Sequence, residues 1–85
     1  MTKDIQRIKC VERLPEQLYE EMDIFLKKHY GYHMEGGSIV TLENGTVQYF
    51  VGVNTGCSAT TGSLGHNLKE KFGIREEFYL NGNRV

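Results

Sequence analysis

The chain has a single proline, no tryptophan, two cysteines and no apolar run long enough to span a bilayer as a helix. Each scarcity narrows the field. With one proline and no low-complexity stretch, the composition argues against a disordered linker or tail. Cys10 and Cys57 stand far apart and outside any CxxC pattern, which fits a reduced, intracellular chain better than a disulfide-stapled secreted one. The first segment, MTKDIQRIKCVERL, lacks the apolar core of a secretory signal, so the sequence reads as cytoplasmic with no membrane partner. Excess charge of either sign is also missing. Ten basic and eleven acidic residues leave a formal net charge of -1, so no global attraction to phosphate backbones operates. The nucleotide-binding patterns GxxxxGK[ST] and GxGxxG are absent as well.

What remains is an ordinary globular composition, 39% hydrophobic with five tyrosines and four phenylalanines. Residues 1–85 read as one domain with one small core. Charge is blocked along the chain. Lys3, Arg7, Lys9 and Arg13 make the start basic, and Glu16, Glu20, Glu21 and Asp23 make the next stretch acidic. A solvated basic strand beside a solvated acidic helix face accounts for this arrangement.

LPEQLYEEMDIFLKKHYG carries every signal of an amphipathic helix. Leu18, Met22, Phe25 and Leu26 share one face, Pro15 suits the first helical position, and cationic residues crowd the end before Gly31. SIVTLENGTVQYFVGV reads as a β-hairpin. A two-residue type I′ turn at Asn44-Gly45 would set Val40 opposite Tyr49 and Ile39 opposite Phe50. Leu42, Val47, Val40, Tyr49, Val51 and Val53 then form the core side, and Ile39 with Phe50 form an apolar pair on the far side, available as a contact site. A second helix is expected from about Leu64 to Phe72, with Leu64, Leu68 and Phe72 one turn apart, Thr61 or Ser63 as N-cap and Gly73 as terminator. Ile74 to Leu80 reads as a last strand before an NGN turn.

The first segment satisfies two patterns. Ile8, Cys10 and Leu14 alternate as in a strand, whereas Ile5, Ile8 and Val11 recur at threes as in a helix. As a strand it completes a βαββαβ order, a small α+β two-layer sandwich of the ferredoxin-like kind, which is the favoured fold. Otherwise the chain takes an αβββ or αββαβ layout of the double-stranded-RNA-binding type.

Candidate sites follow from the loop 54–66. Its glycines free backbone amides, the helix behind it favours an anion, and Thr60, Thr61 and Ser63 offer hydroxyls. The same Ser and Thr residues also serve a plain connection that caps a helix. Cys57 and His66 form a thiol and imidazole pair with no third group to orient the ring, which is a poor basis for catalysis. His29 and His33 have HxxxH spacing and with Cys10 and Cys57 offer the ligand types of a zinc site, but Gly31 between the histidines breaks the helix that such spacing needs, so no metal and no cofactor are expected. The carboxylate pairs Glu20 with Glu21 and Glu76 with Glu77 lack an apolar setting that would raise a pKa for acid catalysis. The tyrosines Tyr19, Tyr30, Tyr32, Tyr49 and Tyr79 would stack on bases only if they lined a sheet surface.

FLKKHYGYHMEGGSIV, TVQYFVGV and TGSLGHNLKEKFGIREEF together resemble the helix, hairpin and terminal helix of HicA-type toxins, which are small RNA-cleaving proteins. The likeness covers Phe25 to Phe78, and GSLGHNLKEKFGI is similar to the family's glycine-started last helix. In that family a catalytic histidine follows Gly-Ser in the first strand, whereas here Gly37-Ser38 is followed by Ile39. The resemblance therefore implies a double-stranded-RNA-binding-like fold without the nuclease residue.

Together these readings lead to an expectation of a non-enzymatic module, a regulator or inhibitor of the kind mobile elements encode, that binds a partner protein. The contact residues expected are Ile39, Phe50, Thr60, Thr61, Ser63 and His66. An RNA-binding module is the second expectation, favoured if the basic first segment joins Lys69, Lys71 and Arg75 in one patch. A small-anion or nucleotide binder using the loop 54–66 is the third, and a homodimer is compatible with all of them.

Overall fold

A computed structural model describes residues 7–56 and 62–85. Among the described residues seven elements follow one another: β1 (Ile8–Arg13), α1 (Glu16–His29), β2 (His33–Leu42), β3 (Val47–Asn54), α2 (Gly62–Lys71), β4 (Glu77–Leu80) and β5 (Asn83–Arg84). The order is βαββαβ with a two-residue strand appended, so the first segment is a strand and the layouts that open on a helix are not followed.

The five strands form one sheet in the order β1-β2-β3-β4-β5. β2 runs antiparallel to both β1 and β3, α2 carries the chain to β4 in parallel with β3, and β5 folds back on β4. The arrangement departs from the ferredoxin-like split, in which the first strand would lie parallel beside the third. The β2–β3 hairpin has two outer edges. The α2 crossover delivers β4 to the edge at β3, and β1 takes the remaining edge at β2.

Helix α1 forms as its sequence dictates. Pro15 stands one place earlier than expected, at the N-cap, and its carbonyl accepts the first helical bond from the Tyr19 N–H at 2.9 Å. Gly31, with φ +75°, lets the chain reverse so that the Tyr30 and Tyr32 N–H groups both donate to the Leu26 carbonyl, at 2.9 and 3.2 Å. Helix α2 ends in the same way at Gly73, with φ +65° and the Ile74 N–H donating to the Lys69 carbonyl at 3.0 Å.

Both helices pack on one face of the sheet. Met22 and Leu26 of α1, Leu64 and Leu68 of α2, Val51 and Val53 of β3, and Phe78 and Leu80 of β4 share a core that also includes Leu14, Met34 and Ile74. Phe25 and Phe72 meet edge to face at 6.0 Å, closing the layer between the helices. Gly65 lies within α2 rather than in a ligand-facing loop, and a Cβ there would come within 2.5 Å of Val85 Cγ2, so its missing side chain serves the close approach of the C-terminal residue.

The hairpin differs from expectation in a way that decides where the site lies. Gly45 alone takes positive φ, +93°, and Asn44 does not. The Gly45 N–H donates to the Leu42 carbonyl at 2.9 Å, the Leu42 N–H donates to the Thr46 carbonyl at 2.8 Å, and Asn44 Oδ1 accepts the Thr46 N–H at 2.9 Å. This is a three-residue loop ending in a glycine bulge instead of a two-residue type I′ turn. The register slips by one: Val40 pairs with Gln48, Ile39 with Tyr49 and Ser38 with Phe50. Tyr49, Val51 and Val53 keep their expected places toward the helices, but Ile39 joins them, while Val40 and Leu42 turn to the opposite face. A type I′ turn does occur at the other Asn-Gly pair, where Asn81 and Gly82 have φ of 49° and 83° and link β4 to β5.

Candidate functional site

The face of the sheet away from the helices is built by strand alternation. Directly opposed residues share a face, so one row crosses all five strands as Arg13, Ser38, Phe50, Tyr79 and Arg84. The neighbouring row is Val11, Val40, Gln48 and Glu77, and beyond it Ile8 pairs with Leu42. On the other side of the arginine row the paired Gly36 and Gly52 leave bare backbone.

Phe50 and Tyr79 stack on one another with ring centroids 4.7 Å apart and planes within 8°. Both are half-buried, and neither belongs to the core cluster. Beside them, Gln48 Nε2 donates to Glu77 Oε1 at 2.8 Å, and the Tyr79 hydroxyl donates to the same oxygen at 3.3 Å. The Gln48 bond, helped by nearby Arg84 and by Tyr79, holds the Glu77 carboxyl below its usual pKa. A carboxylate tuned this way is an acceptor and not a proton donor. Glu76, its neighbour in sequence, is exposed, precedes β4 and acts on Tyr49 of the helix side, so the two do not act as a pair.

The outer end of the row opens into a shallow hollow of about 760 Å³ bordered by Arg13, Tyr19, Glu35, Gly36 and Ser38. A β-bulge between Met34 and Gly36 shapes its floor, and the Met34 N–H is taken by Asp23 Oδ1 at 2.9 Å. Asp23 also binds Lys27 at 2.9 Å, and these two bonds, the backbone one first, lower its pKa. A second hollow, of about 280 Å³, lies in the helix layer over Ile24, Phe25 and Phe72. Its rim lysines, Lys28 and Lys71, stand in or beside the last turns of the helices, where they offset the negative ends of the dipoles, and Lys71 also sits 5.7 Å over the Phe25 ring.

The expected site residues separate. Phe50 is on the helix-free face as anticipated, but Ile39 is on the helix side against Tyr49, so the two do not form an exposed pair. Ser63 is the second residue of α2 rather than its cap, and His66 is exposed on the same helix. Thr60 and Thr61 lie outside the described residues, as does Cys57. Among the described residues no three His, Cys, Asp or Glu side chains converge on a common point. Lys9 and Arg13 of the basic first segment do not join the α2 cations either: they lie on the edge strand β1, whereas α2, with Lys69 and Lys71, packs over β4 in the other layer.

No spacing in the sequence joins Arg13, Gln48, Glu77, Tyr79 and Arg84 into one site. Tyr79 was readable as an outward residue, because Phe78 and Leu80 flank it at core spacing. Its partnership with Phe50 depends on β3 meeting β4 across the α2 crossover, and no local pattern encodes that.

Comparison of the chain with known protein families, curated proteins and solved structures finds no match.

Proposed function

We propose that this chain is a non-enzymatic binding module that occupies a surface of a partner protein through the helix-free face of its sheet, and thereby regulates or inhibits that partner. The observation that carries the reading is the Phe50–Tyr79 stack set between Arg13 and Arg84 on a face that neither helix covers. Tyr and Arg are the residue types that concentrate binding energy at protein interfaces, and Phe is enriched there as well. Exposed Val11 and Ile8 extend an apolar margin on the same face, over the buried Val40 and Leu42. Glu77, a carboxylate in the middle of it, complements a cationic side chain on a protein.

The test is purification from expressing cells of the wild-type chain, of Phe50→Glu, and of Glu20→Arg on the helix layer as a control. The reading expects one protein partner held in fixed stoichiometry by wild type and Glu20→Arg, unaffected by nuclease and lost from Phe50→Glu. Retention of nucleic acid instead of protein, or an undiminished partner on Phe50→Glu, would overturn it.

A further inference from the structure

The structure also presents an open sheet edge. β1 is the outermost strand, and all six of its residues are exposed. Of the three large hydrophobic side chains most exposed among the described residues, two are on this strand, Ile8 and Val11, each 59% exposed. The inward bonds fix which backbone groups remain free. The Leu14 N–H donates to Gly37 and the Arg7 carbonyl accepts from Glu43, both toward β2 and its turn. Alternation from Leu14 then turns the peptide groups of Glu12 and Cys10 inward and those of Val11 and Arg13 outward, to an edge that no described strand covers.

The charges on this strand favour one kind of occupant. Arg7, Lys9 and Arg13 stand against the single carboxylate of Glu12. A second copy pairing antiparallel about Val11 would set Lys9 across from Arg13, and pairing about Cys10 would set Arg7 across from Arg13. Pairing about Glu12 would oppose two carboxylates. Like charges directly opposed destabilise a strand pair, so the strand is guarded against itself.

We infer that β1 accepts an extended acidic segment of a partner protein as a sixth, antiparallel strand. Main-chain bonds form at Val11 and Arg13, and carboxylates on the segment meet Lys9 and Arg13. This rests on the reading of the chain as a protein-binding module and names the chemistry of the partner. β1 borders the helix-free face, so one partner can engage both.

The experiment uses the full chain and a fluorophore-labelled peptide of alternating valine and glutamate, about the length of β1, compared with its valine and lysine counterpart. Fluorescence anisotropy should show the glutamate peptide binding at least about tenfold more tightly, ~1.4 kcal/mol. Amide exchange should slow at Val11 and Arg13. Val11→Pro deletes an outward N–H while leaving the β2 ladder, a position where an edge strand tolerates proline, and should weaken binding by about tenfold or more. Val11→Thr keeps the donor and should bind as wild type does. A peptide N-methylated on the groups that face β1 should fail to bind the unaltered chain, which tests the inference even if Val11→Pro unfolds.

Equal binding of the lysine peptide, exchange protection away from β1, or full binding of the N-methylated peptide would each overturn the inference. So would a dimer of the chain alone that Val11→Pro dissolves, because it would assign the edge to a second copy. Phe50→Glu should leave peptide binding intact, so failure at the edge and failure of the helix-free face are read separately.

Discussion

Asp23 joins α1 to β2 through one carboxylate, which takes the Met34 N–H freed at the bulge and the Lys27 ammonium. The bond is partly buried, so Asp23→Ala would leave a half-shielded donor without its partner and should cost about 1 kcal/mol in urea unfolding. The folded pKa lies below the ordinary aspartate value of about 3.9, so the unfolded chain takes up the proton first as pH falls. The stabilisation is complete at neutral pH and is lost as pH drops from about 4 through the depressed folded pKa. Unfolding midpoints measured at pH 7 and near pH 3 should therefore converge more in Asp23→Asn than in wild type. Two adjacent glycines provide a second contrast. A Cβ at Gly37 would press into the buried Leu14 side chain, reaching Leu14 Cγ at 2.7 Å, whereas one at Gly36 meets nothing within 4 Å. Gly37→Ala should destabilise by about 1–3 kcal/mol through overpacking, and Gly36→Ala should be close to neutral in the same melt. Neither contact is visible in the sequence, where the two glycines look interchangeable.

The elements themselves are largely legible from sequence, because apolar spacing and terminal glycines carry the information locally. Leu18, Met22, Phe25 and Leu26 fix the buried face of α1, and Gly31 and Gly73 end the helices with the positive φ their positions demand. Turn type is a different matter. Asn-Gly occurs twice and folds in two ways. Asn81 is held by the sheet, its amide bridging the N–H and C=O of Val53 at 2.8 and 3.1 Å, and it takes the left-handed conformation. Asn44 has no such tether and uses its side chain within its own turn. The dipeptide is therefore compatible with either register, and the tertiary contact at Asn81 decides one of them. At Gly45 a Cβ would find open space, so the cost of Gly45→Ala comes from φ +93° alone and should be about 1–2 kcal/mol by thermal melt, with pairing of Val40 to Gln48 preserved in cross-strand NMR contacts.

At the scale of the whole molecule, one sheet carries two helices on one side and an aromatic and arginine row on the other. The α+β class follows from counting elements. The strand order does not, because β1 pairs with β2 and β4 with β3 through contacts distant in sequence. The candidate face inherits that difficulty, since its five-residue row draws one residue from each strand. Phe50 lies outside the core, so Phe50→Glu should shift the melting temperature by only a few degrees while abolishing partner retention, separating binding from folding. The most direct measurement is hydroxyl-radical footprinting of the free chain and of the complex isolated from cells, read by mass spectrometry at Phe50, Tyr79 and Ile24. Ile24 is 63% exposed on the helix layer and serves as the internal control. Oxidation should fall sharply at Phe50 and Tyr79 in the complex and stay unchanged at Ile24. Unchanged oxidation at Phe50 and Tyr79 with protection at Ile24 would place the partner on the helices and contradict it.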